Sequence, residues 1–342
     1  MSLIAAAGRV AERLPLPDPV TRLGIDMLVG RTRRVLASLP PETVHRFAEE
    51  MAARPIAEHP ERANDQHYEL PPEFFALTLG PRRKYSCCLY DGGAATLEQA
   101  EIRALEETLA HAHLADGQRI LELGCGWGSL TLFMAERFPA ARIVAVSNSA
   151  PQRLHIEARA RTLGLSNVRV ITADMNGFDT PETFERIVSV EMFEHMANWR
   201  ALLERARGWL APEGRMFLHV FTHRAMPYRF DHADAEDWIA RHFFTGGIMP
   251  SEGLVRCVTD RFTVEQEWRW SGRHYARTAE DWLANFDANR ARIDEVLRDV
   301  YGADAAMWRR RWRLFYLATA GLFGHRGGEE WGVSHYLLRP RD

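Results

Sequence analysis

The chain has 342 residues, of which 46% are hydrophobic and 26% charged, and its formal net charge is −3. This composition is that of a folded protein with one large domain or two, and its slight acidity argues against nucleic-acid binding. The four cysteines, Cys87, Cys88, Cys125 and Cys257, form neither a disulfide framework nor a metal-binding spacing, so we expect a reducing, cytoplasmic location and no metal. No apolar run approaches the roughly 18 residues of a transmembrane segment, and the first 20 residues lack the apolar core of a signal peptide.

Residues 1–60 are predicted to form a helical N-terminal extension. Helical patterns alternate there with proline-containing breaks at residues 15–17 and 40–41. The small basic run at residues 31–34 has two interpretations, a solvated helix face or a surface for anionic lipid. The low number of charges favours the solvated helix face.

Residues 61–115 are predicted to form a lid and the helix that leads into the core. Between residues 64 and 101, aromatic residues interleave with Pro and Gly without a lasting period, which is typical of an ordered functional loop. Thr96 and Gln99 form a capping-box pattern, so we expect a helix to begin there and to run to about His113.

A glycine-rich stretch at residues 119–128, RILELGCGWG, is the strongest signal in the chain. An apolar strand runs into the alternating glycines Gly124, Gly126 and Gly128, and a helix is predicted over 129–138. Glycines permit a sharp turn and a close approach of a ligand to the backbone. The dinucleotide fingerprint G-x-G-x-x-G fails because Ser129 stands where its third glycine would be, and no phosphate-binding G-x-x-x-x-G-K-[ST] is present.

From residue 119 onward, predicted strands and helices alternate. The strands are 119–123, 142–146, 168–171, 186–190 and 216–221, and the helices are 129–138, 152–163 and 199–210, with a tight turn at 212–214. This alternation predicts an α/β fold with a doubly wound parallel sheet, whose core we place at 116–223. Residues 224–342 are predicted to hold an insertion over the site at 224–250, helices at 278–300 and 303–324, and strands at 262–270 and 331–338 that fit a closing antiparallel hairpin.

Polar residues follow the predicted strands at the edge where ligands bind in such sheets. After the second strand, the hydroxyl of Ser147 and the amides of Asn148 and Gln152 can hydrogen-bond a ribose, while Ser149 fits equally well as a helix N-cap. After the third strand, Asp174 can accept a hydrogen bond from an adenine amino group.

A cluster of two carboxylates and an imidazole follows the fourth strand. Because the preceding strand is predicted to be buried, Glu191, Glu194 and His195 are hard to explain as surface residues, and we interpret them as catalytic. His219, late in the fifth strand, is either a satisfied core residue or part of the same site.

These motifs together resemble a known family. Glu122 followed by the three glycines resembles motif I of the S-adenosylmethionine (SAM) methyltransferases. With the segments KYSCC at 84–88, EMFEH at 191–195 and GRHY at 272–275, the chain is similar to the cyclopropane-fatty-acyl-phospholipid synthase superfamily, and within it to the branch of coclaurine N-methyltransferase. The resemblance covers the chain from about residue 60 to its end, and it implies the class I SAM-methyltransferase fold.

The resemblance also implies which residues hold the cofactor SAM: Tyr85, Ser86, Glu122, Gly124, Gly126, Gly128, Ser147, Asn148, Gln152, Asp174, Met175 and Val190. In the lipid-cyclopropanating branch, bicarbonate acts as the base and is held by groups that match Cys87, Glu194, His219 and Tyr275, all present here. The chain departs from that branch twice. Glutamate occupies position 191, where cyclopropane synthases usually have glycine and amine methyltransferases have glutamate, and Met175 replaces a tryptophan of the family.

We therefore predict a SAM-dependent methyltransferase that N-methylates a small aromatic or cyclic amine. A protonated amine must lose its proton before it attacks a methyl group, so Glu191 and His195 are the candidate bases, with Glu194 as their partner. The alternative is a cyclopropane synthase that acts on a phospholipid acyl chain with bicarbonate as base. A non-catalytic SAM sensor is a third hypothesis, disfavoured because the acid–base cluster is intact. The identity of the amine and the oligomeric state, monomer or homodimer, stay open.

Overall fold

The computed structural model of the chain describes Glu12 and residues 16–58, 70–234 and 237–341. Its strands, in chain order, are β1 Arg119–Leu123, β2 Arg142–Ser147, β3 Val168–Thr172, β4 Phe184–Val190, β5 Leu210–His223, β6 Tyr228–Arg229, β7 Ile248–Met249, β8 Phe262–Ser271 and β9 Trp331–Pro340. Its helices are α1 Asp18–Ala37, α2 Thr43–Ala52, α3 Pro72–Thr78, α4 Leu97–His111, α5 Ser129–Arg137, α6 Ala150–Leu163, α7 Trp199–Trp209, α8 Trp238–His242, α9 Leu254–Val258, α10 Gly272–Ala288, α11 Arg290–Tyr301 and α12 Ala305–Gly324.

Seven strands form one sheet in the order β3-β2-β1-β4-β5-β9-β8, and β6 pairs with β7 in a separate ribbon. Strands β1 to β5 run parallel, whereas β9 is antiparallel to both β5 and β8. The predicted doubly wound sheet with a closing antiparallel hairpin is therefore confirmed. The strand order reverses between β1 and β4, and ligands bind at the carboxyl ends of the strands at such a reversal.

Local sequence signals set two helix starts next to this point. The side chains of Thr96 and Gln99 form the predicted capping box at the start of α4. Ser149 accepts a hydrogen bond from the backbone N–H of Gln152, and Pro151 occupies the first turn of α6, where its missing N–H costs nothing. The N-cap interpretation of Ser149 is thus confirmed.

The predicted helix 278–300 was wrong in its start and in its continuity. The chain forms α10 and α11 instead, separated at Asn289, whose side-chain amide donates to the backbone oxygens of Leu77 and Asn285. Such side-chain bonds to backbone compete with helix propagation. The first helix begins early, at Gly272, because Ser271 caps it. Residue 272 has to be glycine, since a Cβ there would lie 2.2 Å from the backbone oxygen of Trp331.

Strand β5 begins at Leu210, six residues before the predicted start. Its pairing with β4 passes from Phe184–Leu210 to Arg186–Arg215, so the predicted turn at 212–214 is an irregularity within the strand. Glu213 has a φ of 61°, which lets the extra residues loop out without ending the ladder.

An aromatic core joins the C-terminal helices to the sheet and to α3. Its largest fully buried side chains include Phe74, Phe75, Trp282 and Trp312. Helix α1 packs against α12, and Arg33 of its basic run donates to Glu330 at 2.7 Å, so this arginine belongs to an internal ion pair. Within residues 16–58, 70–234 and 237–341, no helix combines the length and the apolar character needed to span a bilayer.

Candidate functional site

Two cavities lie at the carboxyl ends of the central strands, on either side of the glycine-rich turn. The first has a volume of about 740 Å³ and the second of about 580 Å³, and both volumes include space open to solvent. Gly124, Gly126 and Glu191 line both, so the cavities adjoin at these residues. The other predicted site residues on the first cavity are Ser147, Asn148, Gln152, Asp174, Met175 and His195, and those on the second are Tyr85, Ser86, Glu122 and Val190.

Each of the three glycines of the turn has different surroundings. All have positive φ values, which L side chains rarely adopt. A Cβ on Gly124 would lie 2.5 Å from the side chain of Met192, and a Cβ on Gly128 would lie 2.6 Å from that of Ile156. Gly126 faces open space instead. Gly128 lines neither cavity and serves the packing of α5 against α6, while Gly126 leaves room for a ligand.

The polar lining of the first cavity contains one buried group without a partner. Ser147 donates to the side-chain oxygen of Gln152 at 2.6 Å, which orients the Gln152 amide. The amide nitrogen of Gln152 is buried and has no hydrogen-bond partner. Since buried donors are almost always satisfied in folded proteins, this nitrogen indicates a ligand with an acceptor, such as a ribose hydroxyl. Asp174 lies beside it and accepts from the backbone of Asn176.

The loop that borders the second cavity is held by a buried carboxylate. Glu101 on α4 accepts hydrogen bonds from the backbone N–H groups of Arg82 and Lys84 at 2.9 and 3.0 Å. The Lys84 side chain is only 3% exposed, and its ammonium donates to the hydroxyl of Ser86 and to the backbone oxygen of Cys87, both at 2.6 Å. A buried cation therefore lies among the predicted site residues.

Glu122 lies in β1, directly before the turn, and stabilises it. Its carboxylate is buried, and the hydroxyl of Thr131 on α5 donates to it at 2.5 Å. Burial raises the pKa of Glu122 to about 8, and the bond from Thr131 opposes this shift. The contact ties the end of β1 to the following helix.

Glu191 is the centre of the predicted catalytic cluster. Its carboxylate accepts from the Cys87 backbone N–H at 2.9 Å and from the Tyr275 hydroxyl at 2.6 Å, and it lies 3.2 Å from Nε2 of His219. Glu191 has a φ of 48°, a conformation that glycine adopts without strain. Burial raises the pKa of this carboxyl, while Lys84, Tyr275 and the amide of Cys87 lower it.

Glu194 is fully buried next to Glu191. One of its oxygens accepts from the backbone N–H of Phe221 at 2.7 Å, and the other has no partner. Burial and the charge of Glu191 raise the pKa of Glu194 well above its usual range. Two acidic side chains thus lie close together beside the buried cation Lys84, and a positively charged ligand would favour the ionised form of Glu194.

The remaining predicted catalytic residues take different positions. His195 lies in a 3-10 turn, lines the first cavity and stacks on Phe244 with a ring separation of 4.4 Å. The thiol of Cys87 donates to the backbone oxygen of Cys88, and burial raises its pKa well above the usual range. The backbone amide of Cys87, not its sulfur, therefore contacts Glu191.

Two residues of the site were missed by the sequence analysis. Lys84 stands in a Pro- and Arg-rich stretch that suggests a surface, and only its place in the KYSCC motif pointed to a role. His335 lies directly opposite His219 in the β5–β9 ladder, and its Nε2 is 2.8 Å from Nδ1 of His219. The alternating pattern of residues 331–338 predicted a strand but not its neighbour in the sheet.

Comparisons with known proteins agree with this geometry. The sequence model of the mycolic acid cyclopropane synthetase family matches residues 57–326. The (S)-coclaurine N-methyltransferase of Thalictrum flavum subsp. glaucum is 37% identical over 291 residues, which cover 84% of this chain and 81% of that protein.

Two solved structures show the same architecture. Coclaurine N-methyltransferase bound to N-methylheliamine and SAH has a TM-score of 0.92 and 32% identity, covering 99% of this chain and 100% of that chain. The cyclopropane synthase MmaA2 from Mycobacterium tuberculosis has a TM-score of 0.70 and 25% identity, covering 82% of this chain and 98% of that chain. The predicted family is thereby confirmed: the chain belongs to the mycolic acid cyclopropane synthetase family and is a SAM-dependent methyltransferase.

Proposed function

We propose that the chain transfers the methyl group of SAM to the nitrogen of a small aromatic or cyclic amine. One observation supports this choice above the others. The Glu191 carboxylate accepts hydrogen bonds from the Cys87 amide and the Tyr275 hydroxyl and contacts His219. These three positions are among those that the family resemblance assigns to a bound bicarbonate, so here a carboxylate of the chain itself takes the place of an external base.

The residues around the two cavities fit SAM. Gly126 leaves open space beside the turn, and the unpartnered amide of Gln152 can donate to a ribose hydroxyl. Asp174 and Met175 then border the adenine, while Tyr85 and Ser86 border the amino-acid end in the second cavity. When bound, SAM supplies an activated methyl group, so the protein need only align a nucleophile and keep it deprotonated.

The charge of the site favours an amine over an apolar acyl chain. Glu191 and Glu194 are both buried, and Lys84 is a buried cation beside them. An incoming ammonium would lower the pKa of Glu194 and pair with the carboxylate that forms, so the cation would not be buried without a counter-charge. The unpartnered oxygen of Glu194 can receive an ammonium hydrogen, while Glu191 takes the proton that must leave before the nitrogen attacks. His195, on the cavity wall beside Phe244, would position the ring of the substrate.

Bicarbonate does not fit the site as this chain builds it. The hydroxyl of Tyr275 and the amide of Cys87 are already donated to Glu191. A bicarbonate ion would have to displace that carboxylate and bring a further negative charge beside Glu194. We therefore derive no step through bicarbonate. Cyclopropanation of an unsaturated acyl chain remains the alternative, because the family model that matches the chain is named for that reaction.

The finer expectations on location and assembly are also proposals. The cysteines Cys87, Cys88, Cys125 and Cys257 are free thiols, which supports a reducing, cytoplasmic location. A homodimer is tested by sedimentation of the purified chain.

The test of the proposed function offers both substrate classes to the same enzyme. Purified chain receives methyl-labelled SAM with a panel of cyclic secondary amines, or with vesicles of unsaturated phospholipid with and without bicarbonate. We expect label in N-methylated amines, no stimulation by bicarbonate, and loss of turnover in Glu191→Gln. Label in cyclopropane rings, with amines unreacted, would refute the proposal and establish the alternative.

A further inference from the structure

We propose that the proton taken up by Glu191 leaves the buried site through a chain of three histidines, His219, His335 and His111, which ends at Glu107 on the protein surface. This inference rests on the proposed function, because it concerns the proton that an amine substrate gives up. It adds three residues, His335, His111 and Glu107, that act through Glu191 and touch no substrate.

The hydrogen-bonded chain is unbroken from the site to the surface. Nε2 of His219 lies 3.2 Å from the Glu191 carboxylate, and Nδ1 of His219 lies 2.8 Å from Nε2 of His335. Nδ1 of His335 lies 2.8 Å from Nδ1 of His111, and Nε2 of His111 lies 3.0 Å from the carboxylate of Glu107. Every ring nitrogen of the three histidines therefore takes part in one link.

The sheet register produces this alignment. His219 on β5 and His335 on β9 are directly opposed, and Trp268 on β8 is directly opposed to His335. The ring of His111, the last residue of α4, stacks on Trp268 with a centroid separation of 3.8 Å and an interplanar angle of 8°. The chain of histidines thus crosses the sheet sideways, from the ligand-binding edge of β5 to the outer strand β8.

Side-chain burial falls along the chain of histidines, from the centre of the protein to the outer end at Glu107. The side chain of His219 is 0% exposed and that of Glu191 7%, whereas those of His111 and Glu107 are 11% and 22% exposed. Glu191 is therefore cut off from water when a substrate fills the cavities. Glu107 reaches solvent and can release a proton directly.

A count of protons shows why such a chain can conduct. Four links need four protons, but three neutral histidines supply only three. With Glu191 protonated, each link donates outward, from Glu191 towards Glu107. With Glu191 ionised, the three inner links donate inward, and the fourth proton makes His111 an imidazolium that still donates to Glu107. The same four bonds are satisfied in both states, and one proton shift along each of the three inner links converts the first state into the second.

The charges around the chain favour a proton at its outer end rather than in the middle. Burial first, and then Lys84, lower the pKa of His219 well below its usual value, and burial with the neighbouring histidines does the same to His335. Burial also lowers the pKa of His111, with Arg103 and His113 in the same direction, but Glu107 raises it. The stack on Trp268 adds a favourable cation–π contact for the protonated ring.

The proton balance of one turnover closes. The N–H bond of the substrate ammonium breaks and an O–H bond forms on Glu191, which frees the nitrogen lone pair. The amine attacks the methyl group of SAM, the carbon–sulfur bond breaks to leave S-adenosylhomocysteine, and the product leaves as the N-methylated cation. Glu191 passes its proton to His219, each histidine passes one proton outward, and Glu107 releases one proton to water. Glu191 is then ionised again, and one proton has been released for each cationic amine methylated. Each imidazole now carries its proton on the nitrogen nearer the site, so the three tautomers have to reset before the next proton can pass.

The experiment removes the outer histidine from the intact enzyme. His111→Ala keeps Glu191 and both buried histidines, and it leaves a slot beside Trp268 that free imidazole can enter. Below the pKa of the amine substrate, we expect kcat to fall roughly 10- to 100-fold, at or below the low end of what a proton-transfer group contributes. Added imidazole should restore kcat in a saturable manner. Above that pKa the amine arrives without its proton, so the variant should match the wild type.

Two matched pairs of variants separate this role from a structural one. His113→Asn alters a nearby exposed histidine, and Asn tolerates the positive φ of that residue, so this variant should show no loss of kcat at low pH. Glu107→Gln should lower kcat at low pH, whereas the exposed neighbour change Glu106→Gln should not. Because Glu107 and Glu106 lie at the surface, their variants test the proton path even if His111→Ala does not fold.

The outcomes distinguish this inference from the proposed function. If the wild type methylates amines but His111→Ala and Glu107→Gln keep its pH profile, the proton path is refuted and the proposed function stands. A uniform loss at all pH values without rescue by imidazole also refutes the path, because it indicates a structural role. If the wild type methylates no amine, the proposed function fails and the inference fails with it.

Discussion

Replacing Glu191 by glycine should make the enzyme depend on an external base in place of its own carboxylate. The residue has a φ of 48°, so glycine relieves about 1–2 kcal/mol of left-handed strain. The change also removes the acceptor of the Cys87 amide and the Tyr275 hydroxyl and leaves His219 without that partner. It creates a polar space into which a small anion or water can enter.

The magnitudes follow from these contacts. An unsatisfied buried donor costs about 1–3 kcal/mol, but water that enters the vacated space satisfies the freed groups. We therefore expect the free energy of unfolding to change by less than about 2 kcal/mol, the size of the relieved strain. Turnover of a protonated amine should fall by roughly 10²–10⁴, the usual contribution of a general base.

The assay is methyl transfer to an amine with increasing bicarbonate. Bicarbonate should raise kcat of Glu191→Gly in a saturable manner and leave the wild type unchanged. Glu191→Gln is the matched control, because its amide fills the same space without acting as a base, so bicarbonate should not rescue it. Equal stimulation of all three proteins, or full activity of Glu191→Gly without added anion, would refute the role that we assign to this carboxylate.

Three further predictions concern the cofactor, the substrate and stability. Gly126→Val places a side chain in the open space beside the turn, so calorimetry should detect no SAM binding while the circular dichroism spectrum is kept. Glu194→Gln removes a carboxyl that an incoming ammonium would ionise, and we expect KM for a cationic amine to rise about tenfold, equivalent to about 1.4 kcal/mol, with little change in KM for SAM; an unchanged KM for the amine would contradict the charge argument. Burial and the nearby Arg83 lower the pKa of His155 to about 4. As pH falls below about 6.5 the unfolded state binds this proton first, so denaturation should show a loss of stability from about pH 6.5 to 4 of up to about 1.4 kcal/mol per pH unit for this group. His155→Gln should reduce that loss, and an identical pH dependence in both proteins would contradict the assignment.

The elements of the sheet could be predicted because their signals are local. The alternation of apolar strands with helical segments needs no distant partner to be recognised, and the capping pair Thr96 and Gln99 is three residues apart. The helix break at Asn289 could not be predicted in this way. It depends on the backbone oxygen of Leu77, which lies 212 residues earlier in the chain.

The same distinction applies to the glycine-rich turn. The sequence predicts a turn that a ligand can approach, but it treats Gly124, Gly126 and Gly128 alike. The structure separates them, because Met192 packs where a Cβ of Gly124 would lie and Ile156 where a Cβ of Gly128 would lie. Only Gly126 keeps open space, and no local pattern reveals which glycine does so.

By itself, the sequence determined the fold class, the cofactor edge of the sheet and the acidic cluster at residues 191–195, since each follows from periodicity or from a short motif. The tertiary structure decided what that cluster does. Glu191 contacts Cys87 and Tyr275 across 104 and 84 positions of the chain, and Lys84 becomes a buried cation beside them. Such contacts depend on how strands pair and how loops fold over them, and strand pairing brings together residues that share no local pattern.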